Sequence, residues 1–291
     1  MKRLLAYSTI SHTGCFLIGI ALLTPDGLAG SALYVLAHAL AKGALFLVGG
    51  LLLLRRRSVD ELTLHGSGRH LPWAGAAWAV AALALASPPF LGTWQGHALV
   101  EDASTVLGYW WLPVVLAVAT ILPTAAIVRC GARVFLGAGP RTDPLLSPEP
   151  DEDPADEPDV PSFALMQAVA LVLAVGGLAI GAVTPLGMHA LEAAHHFTDT
   201  RAYHALVLDH RALPPAPPAH WVTTTQSVVW GLVCLGGSLL LAAGLLFRSR
   251  LVPVALFRPL KLVHSGHVGD YVAWLTFGVA LVGGLFALTL R

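Results

Sequence analysis

Of 291 residues, 56% are hydrophobic and 12% charged, acids and bases balance at 17 each, and mean hydropathy is +0.71. A soluble domain carries about 25% charged residues, so a water-soluble globule is excluded. The zero net charge gives no electrostatic basis for a nucleic-acid partner. What remains is an all-α integral membrane protein whose first partner is the lipid bilayer.

A bilayer core about 30 Å thick needs about 20 apolar residues per helix. Seven stretches meet that need, near 5–23, 29–54, 71–98, 109–135, 162–184, 224–247 and 270–290. Met1-Lys2-Arg3 runs straight into the first, with no small-residue cleavage site, so no signal peptide is expected. The first span carries Ser8, Ser11, His12 and Cys15 on one helical stripe, which should face a neighbouring helix or a cavity rather than lipid. For His12 alone, an interhelical hydrogen bond is the simpler alternative to a proton-carrying role.

In the second span, Lys42 sits inside an almost wholly apolar run, with His38 and Tyr34 one and two turns earlier on the same face. A lysine at mid-membrane costs roughly 2.5–3.5 kcal/mol on insertion scales, which makes it a functional-site hypothesis by default. A structural ion pair would need a buried acid, and no Asp or Glu falls in the core of any predicted span. Lys42 is therefore either paired with another subunit or used as a titrating group.

The third stretch holds Ser87-Pro88-Pro89-Phe-Leu-Gly92 at its middle, where proline should break the helix. In lipid, such a break is tolerated only when buried in protein or lining a wet cavity. His97 follows, before Glu101 and Asp102. Histidine titrates near pH 6.5 and so can pass protons from a buried lysine to an exit acid; an interfacial histidine at a helix end is the plainer alternative. Arg129 and Arg133, on one face near the end of the fourth span, are expected to snorkel to the interface.

Residues 136–161 are acidic and proline-rich, a composition that suits a solvated cytoplasmic linker. Residues 185–223 carry six histidines (189, 195, 196, 204, 210 and 220). Glu192, His195 and His196 could share a face as metal ligands, but an amphipathic segment at the membrane surface fits better. Cys15, Cys130 and Cys234 lie singly in apolar runs and read as small buried hydrophobes. No cysteine cluster, phosphate loop or dinucleotide motif is present, so no cofactor or metal and no enzymatic active site of the chain's own is expected.

Threading seven spans places 13 basic residues on the side of the N-terminus and three on the other. That bias predicts a cytoplasmic N-terminus and an extracytoplasmic C-terminus in a cell inner (plasma) membrane. Three regions follow: a four-helix part over 1–135, the linker 136–161, and a three-helix region over 162–291.

Three segments carry a family resemblance. Lys2-Arg3-Leu-Leu-Ala-Tyr-Ser-Thr-Ile-Ser-His12 resembles the "KRxLAYSSISQ/H" segment of antiporter-like subunits. These include the large membrane subunits of respiratory complex I, Mrp-type cation/proton antiporters and membrane-bound hydrogenase complexes. Tyr34-Val-Leu-Ala-His38-Ala-Leu-Ala-Lys42-Gly-Ala-Leu-Phe-Leu is similar to their "HxxxHAxxKAxLFL" helix, and Ser87-Pro88-Pro89-Phe-Leu-Gly to their "GxPPxxGF" helix break. The stretch from Arg258 through His264, His267 and Asp270 resembles the C-terminal part of hydrogenase-type members. The resemblance covers most of the chain, weakly over 136–220.

By that resemblance Lys42 is the central lysine of a half-channel and His38 its neighbour. Tyr34 stands where many members have a histidine, and His97 where they usually carry a lysine. Family members have about fourteen spans in two inverted repeats, and this sequence corresponds to the second. Either the chain is a fragment or truncated gene product, or the first repeat, with its glutamate–lysine pair, is a separate polypeptide.

The resulting expectation is a membrane subunit conducting protons, or exchanging cation for proton, in an NADH-quinone oxidoreductase-, Mrp- or hydrogenase-like complex. Protons would pass through His12, His38, Lys42 and His97, with other membrane subunits as partners. A non-conducting structural subunit or a truncated fragment of such a complex is the alternative. An unrelated solute carrier would instead show a substrate pocket at Pro88.

Overall fold

Every regular element among the described residues is helical, as backbone groups in lipid must bond within their own segment. The computed structural model describes residues 1–142, 163–200 and 223–247, with isolated positions at 203, 207, 273, 276, 277 and 280. The chain divides into two units, Met1–Arg248 and Ser249–Arg291. All helices named below belong to the first. In the second, the isolated described positions are helical, and the rest of the expected 270–290 span and of the Arg258 segment lies outside the described residues. So do positions 143–161 of the linker, position 162, and His204, His210 and His220.

The helices are α1 (Lys2–Ala21), α2 (Pro25–Arg56), α3 (Pro72–Leu85), α4 (Trp94–Val106), α5 (Leu112–Gly131), α6 (Phe163–Ala179), α7 (Thr184–Thr198) and α8 (Thr225–Phe247). Five are long and apolar enough to cross a membrane, counting short extensions of α5 to Leu136 and α6 to Ala182. They correspond to the first, second, fourth, fifth and sixth expected spans. The 71–98 stretch is not one helix: α3 and α4 have 14 and 13 residues, each too short to cross a bilayer alone.

α2 is the hub, packing against α1, α3, α4, α6 and α7. It begins four residues earlier than its apolar run suggests. Thr24 caps it by accepting a hydrogen bond from the Gly27 amide (3.0 Å), and Pro25 occupies the first turn, both favourable start signals. Small residues on α2, including Gly27, Ala29, Gly30, Ser31, Ala37 and Ala41, are buried. They let neighbouring backbones approach closely. At 1.5 Å rise per residue α2 is about 48 Å long, and Lys42 lies about 26 Å from its start.

The Ala86–Thr93 connection between α3 and α4 holds Pro88 and Pro89. Its backbone groups find partners outside a helix ladder. The Gly92 amide donates to the Leu178 carbonyl (2.7 Å), and the Thr93 amide to that of Ala84 (3.0 Å). The Thr124 hydroxyl on α5 donates to the Leu85 carbonyl (3.3 Å). Ser87, Phe90 and Gly92 have φ of 56°, 64° and 59°; the first two adopt a region that costs non-glycine residues of order 1–3 kcal/mol. Gly92 lies directly on the Ala84 backbone, where a Cβ would collide.

In α5, Pro123 has no amide to give the Ala119 carbonyl. The Ser11 hydroxyl on α1 donates to that carbonyl instead (2.8 Å). α1 and α5 are thereby tied at mid-helix.

At one end of the bundle the N-terminal ammonium donates to the Val59 carbonyl (2.9 Å). Beside it, Glu61 pairs with Arg133 at 2.9 Å and Arg129 at 3.3 Å. Arg133 is fully buried. The expectation that these arginines snorkel is thus corrected: a carboxylate from the 58–71 connection meets them inside the protein. Gly66, Arg69 and His65 reach the carbonyls of Arg133, Leu136 and Gly139 at the same end. The N-terminus, 58–70 and 129–141 therefore share one end of the bundle.

α7 buries Gly187, Leu191 and Ala194, one face of an amphipathic helix. His189 and Glu192 approach at 3.8 Å on its exposed side. No group of three His, Cys, Asp or Glu side chains suited to a metal occurs among the described residues.

Candidate functional site: a buried line of polar side chains

The site assembles where α1, α2, α4 and α5 converge. α2 and α4 touch backbone to backbone at Gly30 and Gly96, where a Cβ on Gly96 would stand 2.6 Å from both the Gly30 carbonyl oxygen and the Tyr34 amide nitrogen. This contact needs glycine on both helices. It places His97, the next residue on α4, against Tyr34, one turn beyond Gly30 on α2.

Tyr34 is at the centre. Its hydroxyl lies 2.7 Å from His12 Nδ1, 3.0 Å from His97 Nε2 and 3.4 Å from Thr120 Oγ1. Thr120 Oγ1 is also 2.9 Å from His97 Nε2. The other ring nitrogen of His97, Nδ1, is 3.4 Å from Glu101 Oε1, one turn further along α4. His12, Tyr34, His97, Glu101 and Thr120 are all at most 3% exposed. A polar group buried this deeply costs free energy unless it is hydrogen-bonded, and each of these five has a partner among the others, on His12 through Nδ1.

Towards the other side, His12 and His38 stack obliquely with ring centroids 4.9 Å apart. Phe16 packs edge-on against both Tyr34 (4.8 Å) and His38 (5.2 Å), which fixes the two rings one turn apart on α2. Lys42 Nζ donates to the Ser8 hydroxyl and to the Leu5 carbonyl (3.1 Å) on α1. Among the described residues no carboxylate pairs with it. No side chain joins the Lys42–Ser8 pair to the histidines, and His12 Nε2 and His38 Nε2 have no hydrogen-bond partner among the described residues.

All five residues expected to carry protons, His12, Tyr34, His38, Lys42 and His97, thus lie in one buried line. Pro88 and Pro89 are outside it, in the connection that feeds α4. Two expectations need correction. Glu101 and Asp102 do not follow a span's end but lie inside α4, which continues to Val106. A buried acid therefore does exist near the line, and its partner is His97 rather than Lys42. Asp102 points away, accepting from Thr224 at 3.3 Å.

Sequence reasoning missed Thr120 altogether. Its signal was modest: Thr120 and Thr124 stand one turn apart in a stretch of α5 that is otherwise apolar up to Arg129. Ser8 was visible as part of the α1 stripe, but not as the partner of Lys42.

Residues 1–123 match the family described as NADH:quinone oxidoreductase/Mrp antiporter, transmembrane. The chain is a relative of the antiporter-like subunits. Every member of the buried line, from Ser8 to Thr120, falls inside the matched residues. The chain is 34% identical over 137 residues to NADH-quinone oxidoreductase subunit M of Mycobacterium tuberculosis, covering 47% of this chain and 25% of that protein. To Hydrogenase-4 component B of Escherichia coli it is 31% identical over 221 residues, 69% of this chain and 31% of that protein. To NADH-quinone oxidoreductase subunit N of Laribacter hongkongensis it is 37% identical over 139 residues, 46% of this chain and 28% of that protein. The chain therefore spans between a quarter and a third of the length of these relatives.

Proposed function

We propose that this chain is a proton-conducting membrane segment of an NADH-quinone oxidoreductase-, Mrp- or hydrogenase-like complex. The observation that carries the reading is the Tyr34 hydroxyl, which bridges His12 Nδ1 and His97 Nε2 in a buried setting. A hydroxyl both donates and accepts, so Tyr34 can take a proton from one ring and give its own to the other. Lys42 is the switching group, His12 and His38 the intermediate carriers, and His97 with Glu101 the far end. Other membrane subunits of such a complex are the proposed partners.

Tyr34→Phe keeps the ring and deletes the bridge. In vesicles containing the full chain with its co-purifying membrane subunits, proton flux should fall by about tenfold or more, the scale of losing one positioned proton-transfer group. Unchanged flux would show that protons do not use this line.

The gap between Lys42 and the two histidines favours a second reading, a structural subunit that keeps the fold without conducting. The same measurement on variants along the line separates the two, since a structural subunit leaves flux insensitive to every one of them.

The membrane arrangement is proposed as seven spans, with α3 and α4 together forming one interrupted span broken at Pro88-Pro89. The regions 1–135, 136–161 and 162–291 remain its proposed division. The Arg-rich end that joins the N-terminus, 58–70 and 129–141 is the cytoplasmic one, by the basic-residue bias of an inner membrane protein. A cysteine introduced at Arg57 should react with a membrane-impermeant thiol reagent only from the cytoplasmic side, and one at Thr224 only from the opposite side. The reverse pattern would invert the topology.

A further inference from the structure

Hydroxyl side chains in helices usually fold back onto a carbonyl of their own helix. Here Ser8, Thr9, Thr13, Ser31, Thr105 and Thr198 all do so. Thr120 does not. Fully buried on α5, it sends its hydroxyl across to His97 Nε2 on α4 (2.9 Å) and to the Tyr34 hydroxyl on α2 (3.4 Å). Neither composition nor the expected relay assigns it a role.

A proton hop along this line has a definite balance. With His12 entering as the imidazolium, its Nδ1–H bond breaks as a new Tyr34 Oη–H bond forms, and the old Oη–H bond breaks as a His97 Nε2–H bond forms, leaving His12 neutral with its proton on Nε2 and His97 positively charged. One proton leaves His12 and one reaches His97, with no electrons transferred. The hop reverses the hydrogen bonds it used. Before it, His97 Nε2 is a bare acceptor; after it, the same nitrogen is a donor, while the new Tyr34 hydroxyl proton faces the bare Nδ1 of His12. Throughout, the Glu101 carboxylate accepts from His97 Nδ1–H, which is what keeps Nε2 the nitrogen that changes.

The line must turn before it can pass another proton, and during that turn Tyr34 cannot serve both rings. A hydroxyl has one donor and two acceptor lone pairs, so Thr120 can donate to His97 Nε2 when it is bare and accept from it when it is protonated. We infer that Thr120 is the resetting residue of the line, holding His97 Nε2 in both protonation states while the Tyr34 hydroxyl turns between His12 and His97. It is a positioning residue, and the inference rests on the proton-conducting reading above.

The test compares Thr120→Val, which keeps the shape without the hydroxyl, with Thr120→Ser, which restores the hydroxyl. Both are made in the full chain assembled with its co-purifying membrane subunits. Flux in vesicles should fall about tenfold in the valine variant, the scale of one hydrogen bond, and return to within about twofold of the original in the serine variant. Nitrogen-15 spectra of labelled histidine in the same samples should show the His97 Nε2 resonance displaced in Thr120→Val and restored in Thr120→Ser, with Nδ1 unmoved.

Equal loss in both variants would mean that Thr120 is only packing, and the inference would be overturned. Full flux in Thr120→Val with flux lost in Tyr34→Phe would overturn the inference while leaving the conducting reading intact. If Tyr34→Phe also conducts normally, the conducting reading fails and the resetting role fails with it.

Discussion

Lys42→Met should make the protein more stable and, at the same time, stop its proton flux. Methionine matches the length of the lysine stem and has no charge. Lysine inside a membrane span costs roughly 2.5–3.5 kcal/mol on insertion scales, and Lys42, 4% exposed, has no carboxylate among the described residues to offset that cost. Its departure leaves no orphan behind. The Leu5 carbonyl still accepts from the Ser8 and Thr9 hydroxyls, both at 2.9 Å, and Ser8 keeps that bond as donor. The expected gain is about 2 kcal/mol, since apolar replacement of a buried charge is commonly neutral to stabilising. Thermal unfolding in detergent reads the first effect and vesicle flux the second. A variant that is less stable yet conducts normally would mark Lys42 as a structural anchor rather than a proton site.

Glu61→Ala should have the opposite character, damaging the fold far from the proton line. Glu61 is shared by Arg129 and Arg133, and all three are buried. Removing one partner of a buried ion pair costs about 3–5 kcal/mol, because the remaining charge stays out of water without its carboxylate. Glu61→Gln retains an acceptor oxygen for the guanidiniums and should lose less. Loss of secondary structure on heating, followed by circular dichroism, measures both. If Glu61→Ala unfolds at the original temperature, the arginines are held by their carbonyl contacts, such as Arg133 to Pro140 at 2.8 Å, and the carboxylate is dispensable.

The two effects separate the chain into a middle that holds the buried polar line and a stitched end. The middle is lined by α1, α2, α4 and α5, and its geometry depends on the Gly30–Gly96 contact and on the Ser11 hydroxyl bonded to the carbonyl that Pro123 leaves open. The end gathers the N-terminus, the 58–70 connection and the arginines of α5.

Much of this was legible in one dimension because the membrane enforces a simple code. A span must be about 20 apolar residues long, so any polar residue within it stands out. Lys42, His38 and Tyr34 declare their shared face by spacing alone, and the α1 stripe from Ser8 to Cys15 does the same. Which helices meet is not written in spacing. That His97 reaches Tyr34 depends on two glycines 66 positions apart allowing α2 and α4 to touch. Thr120 joins the line because α5 presents it across the bundle, and its sequence neighbour one turn on, Thr124, turns instead to the Leu85 carbonyl. Glu61 lies in a connection, where an acid is ordinary until Arg129 and Arg133 are folded against it. The sequence by itself determined the class, the apolar segments and the conspicuous charges, since these follow from the cost of polarity in lipid. Only tertiary structure decided which lone pairs face which protons, because hydrogen bonds act over about 3 Å and helices bring together residues that the chain keeps far apart.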